Sequence, residues 1–299
     1  MVGACHLDRK ARAATPYTIG ASNPVALGAW PGGVARNVAE NLVRLGAEVA
    51  LVSRLGRDDD GLSLLAGLGD LAIDTSGVTL AERAPPAFHL IALQPDGEML
   101  VAVADMRIYD EITPALLEDL PAALWQSEAI FADCNLPAAT LGFLAGLCEG
   151  KRRFAVNAVS PAKALRLRPH LAACDLVFVN RQEAAALLGA PAEGLDPPAA
   201  AAKLRAEGAG EVVLSLGGAG ICIAAEGKPL MLDSDEARLV DITGAGDALA
   251  AAYLEARLRG VDPRKAGRRA LAAAALTVGC AESVCPRLTP AALDAMAAA

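Results

Sequence analysis

The chain has 299 residues and a mass of 30.4 kDa, with 27 Lys and Arg against 35 Asp and Glu, a formal charge of −8 and a pI near 5.0. That balance excludes a protein that coats nucleic acid or an anionic membrane surface, because such binding needs a basic face. Hydrophobic residues make up 54% and aromatics 3%, with mean hydropathy +0.36, so a large core has to be built from Ala, Val and Leu. The longest uncharged stretch, 13–35, contains Pro16, Pro24, Pro31, Gly20, Gly28, Gly32 and Gly33 and cannot keep the backbone bonds of a spanning helix. With no signal-peptide pattern ahead of Asp8, the expected location is the cytoplasm. The seven cysteines include no CxxC pair and the three histidines show no metal-ligand spacing. All ten are expected to be structural, the thiols as small buried hydrophobes in a reducing compartment. Cys134 has no histidine in a motif relation to it, so it is not read as a nucleophile.

In chain order, the first glycine pair, Gly32-Gly33, precedes an amphipathic helix pattern over 34–45 closed by Gly46, and an apolar strand-like run follows at 48–53. Strand-like runs at 86–93 and 98–104 are joined by the turn Pro95-Asp96-Gly97. Thr113-Pro114 opens a helix with Thr113 placed to cap it. Short apolar segments at 128–132, 153–157, 175–179 and 211–216 each lead through a loop into a helical pattern, and 190–198 is Pro-rich and loop-like. Such alternation predicts parallel βαβ units. One domain over 1–299 is expected, with pieces at about 12–32 and 86–104 forming a small β layer beside the main sheet.

Four segments carry chemistry. Asp241-Ile242-Thr243-Gly244-Ala245-Gly246-Asp247 runs into the helical pattern 248–259. Its glycines permit close ligand approach, and the amides of the following helix make an anion site. A carboxylate at Asp247 repels phosphate as a ligand but suits a general base that takes a proton from an attacking hydroxyl. In Pro31-Gly32-Gly33-Val34-Ala35-Arg36-Asn37, Asn37 can donate to and accept from hydroxyls. Asn180-Arg181-Gln182-Glu183 can hold hydrated Mg2+ near phosphates or simply cap a helix. Ser215-Leu216-Gly217-Gly218-Ala219-Gly220 forms a turn able to cover a nucleotide. No GxxxxGK[ST] or strand-borne GxGxxG competes with these.

In this order and spacing the four motifs resemble the PfkB/ribokinase family of sugar and nucleoside kinases, over nearly the whole chain. Within it, 31–42, 97–106 and Ala132-Asp133-Cys134-Asn135 are most similar to the pseudouridine kinases. The resemblance implies a ribokinase-like α/β fold, a doubly wound and mainly parallel sheet flanked by helices, with the small β layer as a lid and a homodimer formed through it. It implies ATP-dependent transfer to the 5′-hydroxyl of a nucleoside, pseudouridine first; a kinase for another sugar or nucleoside is the alternative, and a non-catalytic binding protein a third reading. Asp247 would be the base, with Gly244, Ala245 and Gly246 as the anion hole. Asp8, Asn23, Gly32, Gly33, Asn37, Asp133 and Asn135 would bind substrate. Asn180, Glu183, Ser215, Gly217, Gly220 and Thr243 would bind the nucleotide, Glu183 holding Mg2+ mostly through water. Asp241, Thr243, Gly279 and Ser283 would match a monovalent-cation site for K+. The chain departs from the family pattern in the almost absent first strand at Met1-Val2, in His6 where Asn is usual, and in Asn157-Ala158-Val159-Ser160. Lys163 is placed to reach the nucleotide or to stay solvated. No nucleic-acid or membrane partner is expected.

Overall fold

The computed structural model describes residues 1–234 and 240–297. The chain begins inside a sheet, where Val2 bridges Val52 on one side and Ala132 on the other. The first strand is therefore one rung long, as Met1-Val2 implied. The backbone then leaves for a second sheet as β1 (His6–Ala13) and returns as β2 (Val25–Gly32) into α1 (Val34–Arg44). A parallel unit follows, β3 (Ala50–Leu55), α2 (Asp59–Asp70) and β4 (Asp74–Leu80). The hairpin β5 (Phe88–Leu93) and β6 (Met99–Asp105) completes the small sheet, whose order is β2-β1-β5-β6. Its turn closes through Gly97, at φ +94°, and a 2.8 Å bond from Gln94 N–H to the Glu98 carbonyl.

The lid sheet thus starts at His6, six residues before the predicted boundary. Half of the residues in β1 are charged, which reads as a loop; pairing with β2 and β5 on its two sides makes it a strand.

The short helix α3 (Pro114–Glu118) is capped by Thr113, whose Oγ1 accepts the Leu116 N–H at 3.3 Å. The main run then alternates as predicted: β7 (Ala129–Asp133), α4 (Ala138–Cys148), β8 (Arg153–Asn157), α5 (Pro161–Ala164), β9 (Leu176–Asn180), α6 (Arg181–Leu188), α7 (Pro197–Ala206), β10 (Glu211–Ser215), β11 (Ile221–Ala224) and β12 (Leu230–Leu232). The predicted loop at 190–198 ends at Asp196, whose side chain caps α7. Three helices close the described chain: α8 (Ala245–Leu258), α9 (Pro263–Val278) and α10 (Pro290–Ala297).

Through Val2 the large sheet reads β4-β3-Val2-β7-β8-β9-β10-β11-β12, parallel as far as β10 and antiparallel beyond it. Both faces are buried, and successive strand residues feed opposite cores. Val177, Val179, Val212 and Leu214 pack with Leu144, Leu187 and Leu204 on one face. Phe178 and Val213 pack with Leu42, Tyr253 and Leu254 on the other. This is the doubly wound fold with lid that the sequence predicts. No described helix is long and apolar enough to cross a membrane.

Two cysteines depart from expectation. Cys280 and Cys285, with Cα atoms 5.7 Å apart across the turn after α9, are joined as a disulfide. Their spacing matches no readable motif, and only the turn brings them together. Cys5, Cys134, Cys148, Cys174 and Cys222 are free and buried. Burial pushes the Cys134 thiol well above its ordinary range, which keeps it protonated.

Candidate active site

Strand ends and loops at the carboxyl edge of the parallel sheet, with lid strand β1, build the candidate site, where open α/β sheets place their ligands. The anion loop at 241–247 enters α8 at Gly244, whose φ of +81° favours glycine and whose added Cβ would lie 1.7 Å from the Ser283 carbonyl oxygen. The Ala248 N–H closes the first helical bond to Gly244. The N–H groups of Gly246 and Asp247 meet no acceptor among the described residues, so the helix N-terminus stays available to an anion.

Asp247 stands in the first turn of α8, partly open to the cleft. Desolvation is the main force on its carboxyl. The negative charges of Asp133 and Asp8 add to it, and together they push the carboxyl up to about 7 against the hydrogen bond from Asn37. That places it where a general base works best near neutral pH.

Asn37 is buried on α1, where its Nδ2 donates to Asp247 Oδ2 at 2.8 Å and its Oδ1 accepts from Arg36 at 2.9 Å. It therefore holds the Asp247 carboxyl, where the sequence suggested a substrate contact. The turn into α1 needs Gly33, with φ +97° and an added Cβ 2.4 Å from the Ala4 carbonyl oxygen.

Asp8, on lid strand β1, is 5% exposed and takes His89 Nδ1 at 2.6 Å and His6 Nε2 at 3.3 Å on Oδ1. Burial works to raise its carboxyl, and the hydrogen bonds and charge of the two histidines outweigh it, holding Asp8 well below the usual carboxylate range. Its Oδ2 faces Gly32, where an added Cβ would lie 2.2 Å away. His6 and His89, expected to be structural, both converge on Asp8.

Two expected substrate contacts are used elsewhere. Asn23 spends its amide on the loop between β1 and β2, with Oδ1 taking Thr18 N–H at 2.7 Å and Nδ2 donating to the Thr18 and Ala21 carbonyls. Asp133 is fully buried at the end of β7, and its oxygens accept from the Ala4, Ala35 and Asn135 amides and from Asn135 Nδ2 at 2.8–3.1 Å. A carboxylate so engaged ties Val2, β7 and α1 into one floor. Asn135 completes the arrangement by accepting from Lys163 Nζ at 2.5 Å. Burial lowers the Lys163 amine, so this side chain is packed into the floor.

At the ends of β9 and β10, Ser215 lies in register with Asn180. Asn180 and Glu183 form a reciprocal capping box on α6: Asn180 Oδ1 accepts the Glu183 N–H at 2.9 Å, and Glu183 accepts Asn180 N–H and Nδ2 at 2.8 Å each. Burial raises the Glu183 carboxyl. Gly217 and Gly220 bracket the turn after β10 at φ +62° and +99°.

The predicted monovalent-cation residues converge. Val240 and Asp241 N–H groups both bond the Val278 carbonyl, Ser283 packs under Gly244, and Ser283 Oγ is buried without a partner among the described residues. Gly279 differs in that its carbonyl accepts from Arg287 at 3.2 Å. Sequence reading passed over Lys10, which leaves β1 to pair with Asp241 Oδ2, lies 3.3 Å from Thr243 Oγ1 and stands 5.7 Å over the Trp30 ring. Burial acts to raise Asp241, and the bonds from Lys10 and Thr243 hold it below the ordinary range. Strand alternation sends Asp8 and Lys10 to one side of the lid, the only local signal that could have marked Lys10.

The sequence pattern of the pfkB family carbohydrate kinases matches residues 3–288. Pseudouridine kinase from Escherichia coli K12 is 28% identical over 282 residues, covering 94% of this chain and 90% of that protein. A carbohydrate kinase from Agrobacterium tumefaciens superposes with TM-score 0.86 at 31% identity, over 99% of this chain and 95% of that one. The structure of Arabidopsis thaliana ribokinase complexed with ribose and ATP shares the fold, with TM-score 0.85 at 21% identity over 99% and 97% of the two chains. With its anion loop, lid and floor in place, the chain belongs to the pfkB family of carbohydrate kinases, phosphotransferases that act on a hydroxyl group.

Proposed function

We propose that this kinase transfers the γ-phosphoryl group of ATP to the 5′-hydroxyl of a nucleoside, with pseudouridine as the preferred acceptor. The observation that carries the reading is the Asp247 carboxyl at about 7, in the first turn of α8 beside two unused amides. A hydroxyl bound there loses its proton to Asp247 as it attacks phosphorus. The Gly246 and Asp247 amides, with Gly244 and Ala245 shaping the loop, receive the charge on the transferring group. Catalysis of this kind rests on positioning and electrostatics. Asp8, through Oδ2, and the Gly32-Gly33 turn would hold the ribose hydroxyls beneath the lid. Ser215, Gly217 and Gly220 would line the nucleotide, with Asn180 and Glu183 at its phosphates.

Glu183 keeps lone pairs beyond its two capping bonds, enough to accept water, so the donor set fits a hydrated Mg2+. Bound there, Mg2+ would offset the charge of the phosphates. For the monovalent cation, Ser283 Oγ fits, whereas Asp241 Oδ2 and Thr243 Oγ1 already face the Lys10 ammonium. Lys10 would thus supply the positive charge assigned to K+.

Acceptor preference is tested with ATP and a panel of pseudouridine, uridine, adenosine and ribose. Pseudouridine is expected to give the highest kcat/KM. Faster turnover of ribose would move the assignment to the sugar-kinase alternative, and no turnover of any acceptor would favour the binding-protein reading.

A further inference from the structure

The phosphoryl transfer described above gives His6 and His89 no direct step, yet both converge on Asp8. His6 and Asp8 are two apart on β1 and face the same side of the lid, and Asp8 stands opposite His89 in the parallel β1–β5 register. One donor atom from each residue lies within 4.8 Å of the others. The two imidazole rings cross at 88° with centroids 5.9 Å apart.

The bonds behind His6 fix where its Nε2 points. Tyr109 Oη has one hydrogen, given to the Cys5 carbonyl at 2.8 Å, and it accepts the Cys5 N–H at 3.0 Å. His6 Nδ1, 3.0 Å from the same Oη, then meets it as a donor. Its Nε2 is thereby aimed at Asp8 Oδ1, 3.3 Å away, both residues being under 9% exposed. A histidine anchored through its outer nitrogen is the usual arrangement of a metal ligand.

We propose that His6, Asp8 and His89 form a site for a divalent transition-metal ion of the Zn2+ class, built across two strands of the lid. A tetrahedral ion with ligands at about 2.0–2.1 Å holds them about 3.3 Å apart. The His6–Asp8 pair has that spacing already, and His89, the most exposed of the three and 2.6 Å from Asp8, adjusts to complete the set. Two imidazoles and one carboxylate suit Zn2+ or Co2+, while Mg2+ takes oxygen ligands, so this site is separate from the one at Glu183. Three protein ligands leave a fourth position for water. On the reading of Asp8 as the carboxylate for acceptor hydroxyls, the ion and the acceptor exclude one another. That consequence alone rests on the proposed function.

The test uses the full chain after EDTA treatment, titrated with Co2+ and with Zn2+, reading the visible Co2+ spectrum and the metal retained after dialysis. One equivalent and an intense tetrahedral Co2+ band are expected, with affinity about tenfold or more weaker in His89→Asn and in His6→Asn. Absence of retained metal, or retention unchanged in His89→Asn, would overturn the site. His89 is partly exposed on the lid, so that variant keeps the experiment decisive even if His6→Asn fails to fold. Retention is read without turnover and stands or falls apart from the acceptor's identity. In the kinase assay with Mg2+ in excess, added Zn2+ should raise the KM for the acceptor and leave kcat unchanged; a fall in kcat at constant KM would overturn the competition.

Discussion

If Asp247 is the general base, as proposed, its environment sets the pH at which it works. With the carboxyl near 7 in the free protein, the base is ionised above that pH and protonated below it. The expected profile of kcat/KM therefore rises about tenfold per pH unit up to roughly 7 and levels off above. Asp247→Asn should cut kcat by about 10²–10⁴ at pH 8. The sign for stability follows from the same shift. A carboxyl raised in the folded state contributes stability that is present below its ordinary value near 3.8 and lost as pH rises through about 7. At pH 8 Asp247→Asn should therefore melt above the native chain, a difference that narrows at pH 5. An inactive variant that also melts lower at pH 8 would point to misfolding. Arg36 and Asn37, by contrast, act by holding: the guanidinium bonds Asn37 Oδ1 and the amide bonds the base.

At the scale of elements, the turn into α8 and the strand β1 carry the decisive geometry. Gly244→Ala places a Cβ on the Ser283 carbonyl at φ +81°, which requires the anion loop or the 279–285 turn to move. Turnover is expected to fall at least about a hundredfold, the scale of losing an oxyanion donor, with stability reduced by about 1–3 kcal/mol; thermal melts beside initial rates check both. Strand β1 sends Asp8 toward Gly32 and Lys10 onto the 241–247 loop. If the Lys10 ammonium stands in for a monovalent cation, the native enzyme should turn over equally well in K+ and in tetramethylammonium. Lys10→Met should then be slow in tetramethylammonium and recover with K+ or ammonium. Strong K+ activation of the native chain would refute that role.

At the scale of the whole molecule, the lid leaves apolar surface uncovered. Met99 is 63% and Val101 50% exposed on edge strand β6, with Leu27 63% exposed on the opposite edge strand β2. We propose that a second copy covers this sheet, since a row of apolar side chains on an open edge invites pairing. Elution and light scattering at micromolar concentration should give a dimer, and Val101→Glu with Met99→Glu should give a monomer. A native monomer would refute the assembly.

Much of the architecture was legible because its signals are local. Gly244 and Gly33 mark positive φ at helix starts, Thr113 and Asp196 mark caps, and four apolar runs mark strands buried on both faces. The Asn180–Glu183 box was visible as spacing three apart, in both its capping and its metal-binding sense. Contacts across long stretches of chain left no such trace. Asp133 reads as a polar residue at a strand end, and only the fold turns the Ala4 and Ala35 amides onto it. Asn23 reads as a ligand until the loop at 18–23 claims its amide. Lys10 meets Asp241 across 231 positions and Asp8 meets His89 across 81, joined by strand register and lid placement. The sequence by itself determined the alternation of strands and helices and the glycine loop into α8, because helix starts and glycine conformations are properties of contiguous residues, and the joint motifs carried the resemblance to the kinase family. Which polar side chains remain free for a ligand was decided only by the tertiary structure, because a hydrogen-bonding group is spent or available according to what folding brings beside it.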